Sequence, residues 1–165
     1  MARDTLFKNP FFEKLIRSLN SFPVKRGEAD LSAVKETLRR LKDQRAVLLF
    51  PEGTRTIDGR ISEFKPGLAL LAKKTNAPIV PVVIDGAYEA WPRTSAIPFP
   101  FVPIHVMYGQ PLFPDEIKNY SSEDFVKIIH RKMIEMQNEI RLAAGKHPYN
   151  YSVIASTRPV LPAIL

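Results

Sequence analysis

Residues 46–84, "AVLLFPEGTRTIDGRISEFKPGLALLAKKTNAPIVPVVI", decide the fold. The first five, AVLLF, form a short, continuous apolar run ended by Pro51, which reads as a strand buried on both faces. Pro66, tolerated in the first turn of a helix, opens a helical segment carrying Leu68, Leu70 and Leu71 as far as Asn76. Residues 77–84 are again apolar, and their prolines place them at a sheet edge or a strand start. Strand, helix, strand in units of this size predicts an α/β layer architecture, a mostly parallel sheet with helices packed on it.

The flanking sequence continues the alternation. Residues 21–27, SFPVKRG, read as a short extended segment ending in two cations and a glycine, and Asp30 caps a helix with Leu31, Val34, Leu38 and Leu41 on one face. Downstream, Pro92, Pro98, Pro100 and Pro103 forbid regular structure over residues 91–103, so a long ordered loop is expected there. Residues 104–109, IHVMYG, return as a strand. Ser121 begins a long amphipathic helix with Phe125, Ile128, Ile129, Met133, Met136 and Ile140 broadly on one side, stopped by Gly145. Residues 1–145 are therefore read as one α/β domain, and residues 146–165, which lack periodicity, as an irregular tail.

A chain of 165 residues that is 45% hydrophobic is long enough for one domain with a real core. It has no cysteine, which removes disulfides, a thiol nucleophile and thiolate metal sites from consideration. Its formal charge of +7 favours an anionic partner: nucleic acid, an anionic lipid surface or a phosphorylated small molecule. No groove-reading or single-strand stacking module is recognisable, so nucleic acid is not expected. No run approaches the roughly 18 to 20 apolar residues that span a bilayer, and the first residues lack the layout of a signal peptide. Phe7, Phe11, Phe12, Leu15, Ile16 and Leu19, interleaved with Arg3, Lys8, Lys14 and Arg17, would form a basic amphipathic helix. Such a stripe either packs on the sheet or lies on a membrane.

The turn after residue 50 holds the candidate site. Ligands of open α/β sheets bind at the carboxyl ends of strands. Gly53 lets the backbone approach a ligand closely, Thr54 adds an N–H and a hydroxyl, and Arg55 can hold a phosphate through a bidentate fork. Glu52 beside an anion is repulsive unless it orients the arginine or accepts a hydrogen bond from a substrate hydroxyl, so it is expected to be ionised and paired. The alternative is an ordinary strand-end turn with Glu52 and Arg55 in a solvated ion pair of about 0 to 1 kcal/mol.

FPEGTR at residues 50–55, FKPG at 64–67, VPVVI at 80–84 and FPVKRG at 22–27 together resemble the 1-acylglycerol-3-phosphate acyltransferase family of lysophospholipid acyltransferases. The resemblance extends over roughly residues 2–112 and fits the remainder only loosely. It implies a glycerolipid acyltransferase-like α/β fold. It also implies transfer of a fatty acyl group from an acyl-CoA or acyl carrier protein thioester to the hydroxyl of a lysophospholipid, giving phosphatidic acid. No cofactor is implied beyond that thioester donor. Carried over residue by residue, Arg26 and Arg55 would bind the acceptor phosphate, Glu52, Gly53 and Thr54 would shape the pocket, and Lys65 would add charge. Val80 and Pro81 would line the pocket near the acyl chain. The family places such enzymes peripherally at the cytoplasmic face of a membrane.

The family's catalytic base is the histidine of a His-x4-Asp motif, a general base for acyl transfer to a hydroxyl. This chain has three histidines, His105, His130 and His147, and none is followed five positions later by aspartate. His130 with Glu135 comes nearest and is read as a helical surface pair. The opening text, MARDTLFKNPFF, stands in the family shortly after the histidine motif, so an amino-terminally truncated domain is expected, inactive by itself. The competing expectation is a non-catalytic module that binds anionic lipid or a phosphorylated ligand.

Overall fold

The computed structural model describes residues 2–24 and 31–151. The chain divides into two compact units, one made of residues 1–54, 63–80 and 110–129, the other of residues 55–62, 81–109 and 130–165.

The first unit opens with β1 (Ala2–Arg3), which pairs in parallel with β2 (Pro23–Val24), Ala2 opposite Pro23. Between them lie a 3-10 turn (Asp4–Phe7) and helix α1 (Pro10–Ser18). The Asn9 side chain caps α1, accepting from the backbone N–H groups of Phe11 and Phe12, and Pro10 occupies the first helical position, where a missing N–H costs nothing. Of the apolar stripe on α1, Ile16 is buried, whereas Phe11 is 82% exposed and Phe12, Leu15 and Leu19 are exposed too. Core packing therefore accounts for Ile16 and leaves most of the stripe facing outward.

Helix α2 (Leu31–Lys42) buries Ala33 and Thr37, with Leu31 exposed and Val34, Leu38 and Leu41 half-buried, so the inward face is turned slightly from the leucine stripe. The Thr37 hydroxyl donates back to the Ala33 carbonyl at 2.8 Å, which satisfies it inside the core. Asp30, expected as its cap, lies outside the described residues. Helix α3 (Gly67–Lys74) contributes Leu68, Ala69 and Ala72 to the core and packs against α2 and α5 (Pro114–Lys118). Ile117 and Phe125 are almost fully enclosed in the same core.

In the second unit, β3 (Val82–Asp85) and β4 (His105–Tyr108) form an antiparallel ladder, Val82 opposite Tyr108 and Asp85 opposite His105. Helix α4 (Ala87–Ala90) and the proline-rich residues 91–104 connect them. Helix α6 (Ser122–Ala143) begins at Ser121, whose hydroxyl accepts from the Asp124 N–H, and Gly145, at φ +71°, follows its end. Its lower half belongs to this unit and buries Met136, Gln137, Ile140 and Arg141.

The chain mixes helix and sheet as the α/β reading requires, but two expectations about the sheet need correction. Residues 46–50 are extended without regular secondary structure, and Leu48 and Phe50 are more than half exposed. Burial on both faces needs a layer on each side, and the run instead alternates between exposed and half-buried residues. The predicted strand over 77–84 is confined to its end, because Pro78 and Pro81 bring no N–H to a ladder; Ile79 makes a lone bridge to Leu112. The described ladders comprise one parallel pair and one antiparallel pair rather than a mostly parallel sheet. The connection from β3 to β4 is a tethered loop, not a packed crossover helix, and so returns the chain antiparallel. Among the described residues no helix is long and apolar enough to cross a membrane.

Candidate functional site

The FPEGT segment forms a tight turn. The Gly53 N–H donates to the Phe50 carbonyl at 3.0 Å, Pro51 supplies the fixed φ of the second turn position, and Gly53 itself sits at φ +69°, a conformation natural to glycine. The Lys65 N–H donates to the Pro51 carbonyl at 2.8 Å. That bond draws the FKPG block onto the FPEGT turn. The aliphatic stem of Lys65 then runs past Gly53, close enough that a Cβ there would touch its Cγ at 3.7 Å. Two motifs separated in sequence thus meet, with the exposed Lys65 side chain beside an exposed glycine backbone and the exposed Thr54. Glu52, at the third position of the turn, is half-buried.

Beside this turn the same unit carries a groove of about 330 Å³. Its wall is made by residues 46–48 and 50, which lead into FPEGT, and by residues 19–22, which lead into VKRG. Among the described residues, Arg40 is its only charged lining residue. The Arg40 guanidinium lies 4.6 Å over the Phe22 ring, donates to the Asn20 carbonyl at 2.6 Å and pairs with Glu36 at 2.7 Å. Hydrogen bonds from Arg39 and then Arg40 lower the Glu36 carboxyl from 4.5 to about 2. Arg40 escaped the sequence reading because it sits on the charged side of α2; its spacing of four from Glu36 was the available signal.

Arg55 begins the second unit, where its guanidinium lies 5.8 Å over the ring of Trp91, within cation–π range. Downstream, the Thr56 hydroxyl accepts from the N–H groups of Asp58 and Gly59, and Asp58 accepts from the Arg60 N–H, so the loop is closed on itself. It is also held from outside. Gln137 donates to the Gly59 carbonyl at 2.9 Å, and the Tyr151 hydroxyl accepts from the Ile61 N–H while bonding to Gln137. A Cβ on Gly59, whose φ is +88°, would clash with the Tyr149 hydroxyl. Glycine is required at this position on both counts.

Under that loop is a buried ionic cluster. Asp85 accepts from Arg141 at 2.8 Å and from Lys146 at 2.7 Å, and the Arg141 guanidinium stacks 3.8 Å over the Tyr149 ring and donates to the His147 carbonyl. Burial pushes the Asp85 carboxyl up, but the hydrogen bonds from Lys146 and Arg141 outweigh it and hold the group below its ordinary value. Tyr149 is pushed up, by burial first and then by Glu89. Residues 146–151 are irregular, yet these contacts fasten them to the unit. The sequence offered one signal for this cluster: Gln137 and Arg141 are polar residues on the apolar stripe of α6.

The remaining expected positions are placed as follows. Arg26 lies outside the described residues, so its pairing with Arg55 on one phosphate is not visible. Val80 ends a segment of the first unit and is half-exposed; Pro81 is buried in the second, its carbonyl accepting from the Gly109 N–H. His105 is in β4, His130 is half-buried in α6 with Glu135 exposed beyond it, and His147 serves through its backbone carbonyl.

Comparison with known proteins accords with this arrangement. The chain is 37% identical over 103 residues to a 1-acyl-sn-glycerol-3-phosphate acyltransferase of Limnanthes douglasii, covering 62% of this chain and 36% of the relative. It is 31% identical over 138 residues to that of Cocos nucifera, covering 82% and 44%, and 25% identical over 144 residues to that of Bacillus subtilis, covering 85% and 69%. It spans less than half the length of these two plant relatives. Among solved structures, the 1-acyl-sn-glycerophosphate acyltransferase PlsC of Thermotoga maritima superposes with a TM-score of 0.60 at 29% identity, over 82% of this chain and 55% of that one. The family model described as Acyltransferase matches residues 1–85, more than half of the chain, and takes in the turn, the groove and Lys65. With its motifs folded together in this way, the chain belongs to the acyltransferase family.

Proposed function

We propose that these residues form the acceptor-binding part of a lysophosphatidate acyltransferase, which takes an acyl group from acyl-CoA or acyl carrier protein to give phosphatidic acid. The observation that carries this reading is the bond from the Lys65 N–H to the Pro51 carbonyl, which sets a lysine beside the Gly53–Thr54 backbone. The Thr54 N–H and hydroxyl with the Lys65 ammonium, beside an open glycine, are donors of the kind that a phosphate monoester needs.

The base is a different matter. No histidine in the chain is followed five positions later by aspartate, so residues 1–165 alone are expected to bind the acceptor without turning it over. Loss of a general base costs roughly 10² to 10⁴ in rate. A non-catalytic module for anionic lipid or phosphorylated ligand is the second reading, favoured by the cationic turn together with a sequence that carries no His-x4-Asp motif. In either case peripheral attachment at the cytoplasmic face of a membrane, where anionic lipid concentrates, suits the +7 charge and the outward Phe11, Leu15 and Leu19 of α1.

Titration calorimetry with lysophosphatidic acid, alongside acyl transfer assays with both donors, tests this. Binding is expected, weakened about tenfold to a hundredfold by Lys65→Ala, as a lost charge-assisted hydrogen bond of roughly 1.5–3 kcal/mol requires. No binding to the unaltered chain overturns the acceptor site. Turnover above background overturns the missing-base argument and points to His130.

A further inference from the structure

The loop between α4 and β4 is built unlike any other part of the chain. Residues 94–104, TSAIPFPFVPI, carry no charged side chain. Ile97 is 72% exposed, Phe99 is half-exposed and Phe101 is 99% exposed, its ring held in solvent by a backbone at φ +66°. A bulky aromatic residue at positive φ is strained, and exposing its ring to water adds to that cost. Among the described residues, none covers the Phe101 ring. Strain held together with exposure is the combination from which a binding role can be argued.

The loop is also stiff and well anchored. Pro98, Pro100 and Pro103 restrict it, the Phe99 N–H donates to the Ala90 carbonyl at 2.7 Å, the Ser95 hydroxyl donates to the Ile97 carbonyl at 2.6 Å, and Trp91 Nε1 donates to the Ser95 carbonyl at 3.1 Å. The apolar tips therefore reach outward in the free state with little ordering left to be done on binding. At the base of the loop stand the half-exposed Trp91, the Arg55 guanidinium over it and the exposed Arg93. An uncharged tip of splayed rings above a tryptophan and two arginines matches a lipid interface: acyl chains for the tip, the headgroup level for the indole, anionic phosphates for the arginines. A protein partner would need a shaped surface for rings that here point outward separately.

We propose that residues 94–104 insert into the interface of an anionic bilayer, with Trp91 at headgroup depth. The inference rests on the lipid-surface reading of the proposed function, but uses residues distinct from α1 and from the turn at Gly53.

Trp91 is the only tryptophan of the chain and sits at the base of this loop, so its fluorescence reports the loop directly. The full chain is mixed with vesicles of phosphatidylcholine and phosphatidylglycerol, with and without brominated acyl chains. The expected result is a blue shift of Trp91 emission, quenching by the brominated lipid, and a partition coefficient about tenfold lower for Phe101→Ser, the fold-change of an aromatic ring losing part of its burial. Phe101 is too exposed for that variant to disturb folding, and an unchanged far-ultraviolet circular dichroism spectrum checks it. Phe11→Ser on α1 should leave the quenching of bound protein unchanged. Vesicle binding without quenching of Trp91, or unaltered by Phe101→Ser, overturns the loop insertion while leaving attachment through α1 standing. Absence of vesicle binding overturns both the insertion and the lipid-surface reading.

Discussion

Replacing Asp85 by asparagine tests the ionic cluster beneath the Gly59 loop. The change keeps the shape of the side chain and one acceptor oxygen, so Arg141 can still find a partner, but the amide nitrogen then faces the Lys146 ammonium. Asp85 is 2% exposed and the Arg141 side chain 11%, so the two guanidinium and ammonium charges lose their main counter-charge in a poorly hydrated place. Breaking a buried pair by removing one partner costs roughly 3–5 kcal/mol. Two features reduce that figure: Glu89 remains 3.5 Å from Arg141, and Lys146, at 28% exposure, can recover part of its hydration. The expected loss is about 2–3 kcal/mol, a large part of the roughly 5–15 kcal/mol typical of a domain. The assay is reversible urea unfolding followed by Trp91 fluorescence, which reads the same unit. With a slope near 2 kcal/mol/M the midpoint should fall by about 1–1.5 M. The same exchange at the exposed Asp115, paired only with Lys118, should leave the midpoint where it was. A loss below about 0.5 kcal/mol for Asp85→Asn, with the slope unchanged, would refute the claim that this cluster holds the unit together.

Gly59→Ala should cost about 2–4 kcal/mol in the same assay, since the methyl group meets both an adverse φ and the Tyr149 hydroxyl, whereas Gly67→Ala, with open space at its Cβ, should be neutral or slightly stabilising. Acid titration should show stability lost in a definite window. Glu36 and Asp85 both have carboxyls lowered in the folded state, so each contributes stability above the unfolded value of roughly 4 and surrenders it as pH falls. For Glu36 the loss runs from about pH 4.5 down to about 2, and Glu36→Gln should flatten the unfolding-midpoint profile across that range; an unchanged profile would assign the acid sensitivity elsewhere.

Much of the chain was legible before folding because it depends on neighbours in sequence. The helices at 31–42, 67–74 and 122–143 follow from apolar spacing, from Pro66 and from Ser121 and Gly145 at their ends, all local matters of capping and periodicity. The family motifs were legible for the same reason, since a tight turn needs its proline and glycine in consecutive positions. Strand pairing was not. Residues 46–50 and 104–109 are apolar runs alike, and only partners distant in the chain decide that one takes no regular secondary structure while the other lies antiparallel to β3. Nor could sequence alone show that Lys65 stands beside Gly53, that Arg55 takes the Trp91 ring, or that Asp85 meets Arg141 across 56 positions. An apolar stripe states how much surface a helix must cover. What covers it, as Phe11 and Phe101 facing solvent show, is settled by tertiary structure, because burial belongs to pairs of surfaces and a sequence writes down one surface at a time.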